Sequence, residues 1–366
     1  MVTSSMQASD EFLHLATINC MDYKDIIQRN CECLNQRRWW PKFAFHFTDV
    51  RNAACILTSG RMYSRATAQG LNIMSNDNAS QQVIDVTDSD VISHVRLYFR
   101  PQTPTQYYNE GYKHPHLRFN SEKLSANVPV PVFLLFNLEK LLSLPNVSFS
   151  EITLAGRRAP VYSDIESFSK LNFDYIYDNS STRWEKTKSY RQAEILVRDF
   201  FNIDDCISNI LCRNSIEQTT LLNLLYEKAP TERYNRFKDI IKVYKQDTFY
   251  ENGFFVQDCE YHKDSVNIIF SDTQCAKKYI AKMMKKNGVQ ELPPIEANYL
   301  LEWMDVNNNT IKEVEVKSQL NIQQSTSCKL KLPNFKGAER IGIKVFFEKK
   351  LMCYVIRSLQ DSEFLE

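Results

Sequence analysis

Glycine is scarce in this chain, with eight residues in 366. Their placement spells neither G-x-G-x-x-G nor G-x-x-x-x-G-K-[ST], which excludes a Rossmann dinucleotide loop and a P-loop. If the chain handles a dinucleotide, it does so without a glycine cradle. Cysteine occurs ten times but without a pattern: Cys31 and Cys33 form the one close pair, and no C-x-x-C exists. A zinc clip is not expected from such spacing, so no metal is assigned. The thiols read as reduced and mostly buried, which points to a cytoplasmic protein. No apolar run approaches the roughly 18 residues of a membrane-spanning helix. The polar, acid-bearing N-terminus does not read as a signal peptide. Excess charge is missing too. With 45 basic and 44 acidic residues the net charge is +1, so any polyanion must meet a local basic surface.

What is present suits a globular protein of about two domains, with 43% hydrophobic and 24% charged residues and no need of disulfides or metal for a core. Residues 1–40 read as an N-terminal helical extension. Residues 41–245 read as a first domain and residues 246–366 as a smaller α+β domain. Phe43–Phe47 predicts a strand. Asp49 caps a helix ending at Ser59, with Gly60 in the C-cap turn. Residues 62–64, 95–99, 130–136, 147–154 and 193–197 read as strands, with 147–154 at the sheet margin. The run at 130–136 is apolar enough to be buried on both faces. Ile207–Cys212 is expected to pair with 193–197, and Ser215-Ile-Glu-Gln218 reads as a capping box. Residues 66–90 and 107–128 read as long polar loops of the kind that carry function. In the last domain, strands at 253–257, 266–270, 312–316, 328–332 and 341–347 surround one helix over 272–287.

Three segments carry possible chemistry. His46 and Thr48 share one face of their strand and suit a ribose hydroxyl or an amide, although a satisfied histidine beside the core explains the same pattern. Arg96-Leu-Tyr-Phe-Arg100, followed by Pro101 and Pro104, makes a rigid wall with cationic edges. Glu194 sits in an apolar strand where packing does not want a carboxylate. Either it pairs with Arg191 or Arg198, or it is aimed into a cleft.

Together these segments resemble the DarT family of nucleic-acid ADP-ribosyltransferase toxins. The resemblance spans roughly residues 43–226. It rests on His46-Phe-Thr-Asp-Val-Arg-Asn-Ala53, Leu97-Tyr-Phe-Arg-Pro-Gln-Thr-Pro-Thr105, Pro131-Val-Phe-Leu-Leu-Phe136 and Arg191-Gln-Ala-Glu-Ile-Leu-Val197. It implies an α+β ADP-ribosyltransferase-like fold, in which a split mixed sheet holds NAD⁺ without a glycine loop. It also implies transfer of ADP-ribose to a base of single-stranded DNA, and a macrodomain antitoxin partner in a toxin–antitoxin or phage-defence system. By position, Glu194 is the implied catalytic carboxylate. His46, Thr48, Tyr98 and Phe99 are implied to contact NAD⁺.

The chain departs from the shorter family members at 70–80, which contains no arginine where they keep one. Arg65 is the nearest substitute, with Asn78 as a polar stand-in. This departure and the C-terminal extension lean toward the longer branch of the family and toward guanine instead of thymine. Arg100, Tyr107, Tyr108 and Arg118 have the chemistry to hold an unstacked base or its phosphates. Lys277, Lys278, Lys282, Lys285 and Lys286 on the C-terminal helix read either as a solvated face or as a phosphate contact. Three alternatives stay open: the same transfer onto RNA, an NAD⁺ glycohydrolase, and an inactive nucleic-acid-binding module.

Overall fold

A computed structural model describes residues 22–71, 92–118, 127–155, 159–262, 264–333, 335 and 337–359. The first half is built on β1 (Phe43–Asp49), β2 (Arg61–Tyr63), β3 (His94–Tyr98), β4 (Pro131–Asn137), β5 (Val147–Ser150), β6 (Glu194–Arg198), β7 (Phe200–Asn202), β8 (Ile207–Cys212) and β9 (Ile241–Val243). Seven of them form one sheet in the order β5-β6-β3-β1-β4-β8-β9, and β2 pairs with β7 separately. The sheet is mixed: β8 and β9 run parallel, and the other pairs are antiparallel.

Residues of β4 from Pro131 to Phe136 are all buried, as a continuous apolar run requires of a central strand. Such a strand needs a partner on each edge for its backbone groups. This overturns the expected pairing of Ile207–Cys212: β8 lies beside β4, with Val132 opposite Cys212. β6 is flanked by β3 and β5 instead. Asp49 caps the helix Val50–Ser59 by accepting from Arg51 N at 3.0 Å. Gly60 ends it at φ 74°, a left-handed turn that glycine adopts without penalty. The second cap falls one residue before the expected one. Asn214 accepts from Glu217 N at 2.9 Å and opens the helix Ser215–Lys228.

Of the two expected loops, residues 72–90 and 119–126 lie outside the described residues, and the described parts include short helices. Ser64 caps a short helix, Arg65–Gly70. Thr103 caps another, Pro104–Asn109, with Pro104 in its first turn, where its missing N–H costs nothing.

The sheet is split between β1 and β3. β1 pairs with β4 along its whole length, from Phe43 opposite Asn137 to Asp49 opposite Pro131. Against β3 it has the single pairing of Phe45 with Tyr98. Beyond that pairing the two strands have no further register partners among the described residues.

The second half contains β10 (Val256–His262), β11 (Ser265–Phe270), β12 (Ile295–Met304), β13 (Thr310–Leu320), β14 (Ser327–Lys331), β15 (Arg340–Phe347), β16 (Lys350–Ser358) and the helix Gln274–Asn287. They make two sheets, β10-β11-β14 and β13-β12-β15-β16. Neither β12 nor β16 is among the expected strands, although β12 alternates buried and open positions along most of its length. The two halves have separate cores, one around Phe45, Leu97 and Phe136, the other around Tyr299, Trp303 and Val345.

Elements cross between the cores. Tyr112, Leu117 and Ile216 join the second, while Leu351 and Tyr354 of β16 join the first. The seam is close. A Cβ on Gly253 would lie 2.5 Å from the Glu110 carbonyl oxygen, and one on Gly111 would lie 2.7 Å from Gly253 Cα. Only glycine at both positions lets these backbones meet. Beside them, Arg213 lies between the Glu217 and Glu110 carboxylates, and all three are essentially inaccessible to solvent.

Candidate active site

Alternation along β3 decides which residues reach the opening. Val95 and Leu97 are buried, while His94, Arg96 and Tyr98 are half-buried. Phe99 follows the buried side: it is fully covered and packs on the rings of Phe168 at 6.2 Å and Phe173 at 6.5 Å. It packs as a core residue, and the expected nicotinamide contact would require it to be uncovered. Tyr98 lies opposite Glu194 across the β3–β6 ladder and hydrogen-bonds Thr105. Burial, then the nearby Glu194 charge, raises its phenol above the ordinary value.

The partner of Glu194 is Arg96, not Arg191 or Arg198. Arg96 donates from Nε to Oε2 at 2.5 Å and from Nη2 to Oε1 at 2.7 Å. Leu154 N adds a third donor to Oε1 at 3.0 Å. A carboxylate has about four acceptor sites, so three are engaged and the charge is held in one orientation. The arginine side chain is 24% exposed and the carboxylate 0%, so Arg96 lies on the outer side of the pair. Arg191 instead binds Asp178 at 2.6 Å, and Arg198 is exposed. Arg96 reads from the sequence as part of a cationic wall, with nothing to foretell its pairing with Glu194. Its alternation with Tyr98 put both on one face, but only the strand register reveals that Glu194 shares it.

His46 joins this group across the split. Its Nδ1 lies 3.3 Å from the Arg96 carbonyl oxygen. Burial depresses the ring to about 4, outweighing the opposing pull of that hydrogen bond. The imidazole is therefore neutral at pH 7. Because a carbonyl only accepts, the proton sits on Nδ1 and Nε2 is left as an acceptor. A ring held neutral by burial keeps this arrangement above the depressed value and loses it as the pH falls through about 4. An NMR titration of the His46 ring should show no protonation between about pH 5 and 8; a midpoint above 6 would contradict this geometry. Thr48, two residues on, is buried at 2% exposure.

The remaining expected residues divide. Arg65 is half-buried in the first turn of its helix. Asn78 lies outside the described residues. Arg100 is 1% exposed, stacked 4.6 Å from the Trp40 ring, and donates to Pro101 O at 3.0 Å, Ile176 O at 3.3 Å and Asn179 Oδ1 at 2.7 Å. It acts as an internal clamp, and the expected nucleic-acid contact would require these donors to be released. Arg118 donates from Nε to Lys113 O at 3.1 Å and pairs with Glu348. This ties it to the β15–β16 turn. Tyr107 is half-buried and Tyr108 is exposed. Among the described residues, no group of three or more His, Cys, Asp or Glu side chains is arranged to hold a metal, and no helix is long and apolar enough to cross a membrane.

Comparison with known proteins gives one family. Residues 45–245 match the family model described as "ssDNA thymidine ADP-ribosyltransferase, DarT". No curated protein matches. Among solved structures, DarT from Thermus sp. 2.9 in complex with ADP-ribosylated ssDNA is similar at 14% identity and TM-score 0.46, covering 57% of this chain and 97% of that one. The same protein in complex with NAD⁺ gives 15% identity and TM-score 0.43, with 57% and 98% covered. DarTG from Thermosipho africanus in complex with ADP-ribose gives 14% identity and TM-score 0.42, with 60% and 53% covered.

Proposed function

The chain belongs to the DarT family of ADP-ribosyltransferases, and on that premise we propose that it transfers ADP-ribose from NAD⁺ to a base of single-stranded DNA. The observation that carries this reading is the convergence of His46, Tyr98 and Glu194 at the split of the sheet. These residue types stand where a cleft can open without a glycine loop. This set of groups suits NAD⁺: a neutral histidine acceptor, a tyrosine edge and a buried carboxylate acceptor. His46 and Thr48 would hold the ribose and amide, Tyr98 would border the nicotinamide, and Arg65 would stand in for the family's loop arginine.

When bound, NAD⁺ supplies an activated C1′–nitrogen bond whose cleavage releases nicotinamide and leaves positive charge on the ribose. Glu194 stabilises that charge. It also accepts the proton of the attacking base nitrogen as general base. Arg96 keeps the carboxylate oriented beforehand. Because Arg96 covers Glu194 from the outer side, its guanidinium must turn outward for the ribose to reach the carboxylate.

The family description names thymidine, while the departures at 70–80 and the extension past 245 favour guanine as the alternative base. The same reading makes the protein a toxin of a toxin–antitoxin or phage-defence system, opposed by a macrodomain antitoxin that removes the mark.

The test is incubation of the full chain with NAD⁺ and matched single-stranded DNA and RNA, read by mass spectrometry of the oligonucleotide and by nicotinamide release. An ADP-ribose adduct on a DNA base is expected. An adduct on RNA alone would move the acceptor to RNA. Free ADP-ribose without an adduct would make the protein an NAD⁺ glycohydrolase. No nicotinamide release at all would overturn the enzymatic reading.

A further inference from the structure

Packing fixes the rotation of the helix Gln274–Asn287. Tyr279 and Met283 face the second core, and Ala276 is buried on the same side of the helix. Lys278, Lys282 and Lys285, at i, i+4 and i+7, then form one exposed stripe about 10 Å long. The five lysines are therefore not a single cluster: Lys277 turns to Asp272 at 2.7 Å. The helix sequence Gln-Cys-Ala-Lys-Lys-Tyr-Ile-Ala-Lys-Met-Met-Lys-Lys-Asn contains no acid. A merely solvated face usually mixes both signs, because i,i+4 pairs of opposite charge support the helix and like charges oppose it.

The stripe does not stand alone. Lys282 Nζ lies 5.2 Å from the centre of the Tyr107 ring and 3.5 Å from its hydroxyl. Tyr279 meets the same ring edge-on at 5.6 Å. Tyr107 in turn meets Tyr108 edge-on at 5.2 Å, and Tyr108 is 36% exposed. Both tyrosines belong to the helix Pro104–Asn109, whose first turn touches the catalytic group. Thr105 hydrogen-bonds Tyr98 and reaches Gln192 Oε1 at 3.1 Å, two residues before Glu194. A chain of side-chain contacts thus links the Glu194 neighbourhood, through Thr105 and the tyrosines of its helix, to a row of cations.

We propose that Tyr107, Tyr108, Lys278, Lys282 and Lys285 form an extended binding surface for the single strand flanking the modified base. A base stacks on Tyr108, which Tyr107 backs edge-on, and phosphates lie along the lysine stripe. The second half of the chain then supplies part of the acceptor site, although it lies beyond the family-matched residues. The inference rests on the proposed nucleic-acid acceptor and deepens it.

The test is fluorescence anisotropy with labelled single strands of about 20 and about 4 nucleotides, DNA and RNA in parallel arms. The unaltered full chain is compared with K278Q/K282Q/K285Q and with Tyr108→Ala. Thermal melting checks that each variant is folded. The triple variant should bind the longer strand about tenfold more weakly. Its log–log salt slope should fall by about 2, since each lost phosphate contact removes roughly 0.7. The short strand, which offers only a few phosphates, should lose less affinity and less slope. Tyr108→Ala should weaken the longer strand without changing the slope. Unchanged affinity and slope in a triple variant, while the unaltered chain still labels oligonucleotides, would overturn this surface alone. Equal losses for both strand lengths would also overturn it. No labelling of any strand by the unaltered chain would instead overturn the acceptor reading, and this surface with it.

Discussion

Glu194→Gln is expected to lower ADP-ribose transfer by a factor on the order of 10² to 10⁴ while the protein stays folded. Glutamine keeps the shape and one oxygen, so Leu154 N and one Arg96 donor retain an acceptor. What is lost is the negative charge that faces the ribose and takes the proton. This separates the two meanings of the Arg96–Glu194 pair. If the pair only stabilises the strands, Arg96→Ala and Glu194→Gln should each lower the melting temperature and change transfer only through the folded fraction. If Glu194 is the catalyst, Glu194→Gln removes turnover at full NAD⁺ occupancy, and kcat falls far more than KM rises. Initial rates of nicotinamide release with a saturating oligonucleotide decide the matter. A variant within tenfold of the unaltered chain would end the catalytic assignment.

Arg213→Met should have the largest effect on stability. The arginine occupies the seam between the cores, with Phe255 stacked 3.6 Å from its guanidinium and Pro129 O accepting at 3.2 Å. Its charge answers Glu217 and Glu110. Glu110 is also held by Gln106 Nε2 at 2.7 Å, Tyr250 N at 2.9 Å and Glu251 N at 2.7 Å. Removing the cation leaves two carboxylates without it in a place water does not reach. Breaking such a buried pair costs about 3–5 kcal/mol.

The sign of the pH dependence follows from Glu217. Burial pushes its carboxyl up to about 7 against the pull of Arg213. A raised carboxyl makes the folded state bind the proton more readily, so folding gains as the pH falls through about 7. Without Arg213 that protonation becomes easier still, and the deficit of the variant should be smaller at pH 5 than at pH 8. Urea denaturation at both pH values measures this. A deficit under about 1 kcal/mol at pH 8 would show that the seam does not depend on the ion pair.

The parts of the site legible in the sequence are those fixed by local rules. Asp49 and Gly60 mark the helix after β1, because a side-chain acceptor and a left-handed turn are needed at those points whatever surrounds them. The apolar run at Pro131–Phe136 announced a central strand, since nothing in it tolerates water. Glu194 stood out because a carboxylate in an apolar strand demands an explanation. His46 and Thr48 stood out through the resemblance to the DarT family; their residue pattern alone leaves a satisfied core histidine also open. Gly111 and Gly253 gave no such signal. Scarcity alone does not tell which glycines allow two backbones to touch.

By itself, then, the sequence determined the family, the strand that carries Glu194 and the absence of a glycine-cradled nucleotide loop, since each depends on residue type and spacing along one segment. Tertiary structure decided the partners. Register placed Arg96 on Glu194 where Arg191 and Arg198 were the sequence neighbours, and packing drew Phe99 and Arg100 inward from an expected surface. It also set a lysine-bearing helix from residues 274–287 beside Tyr107, more than 160 positions earlier in the chain. Those facts depend on which segments meet, and pairing over such distances is settled by burial and backbone hydrogen bonding across the whole molecule, which no local pattern encodes.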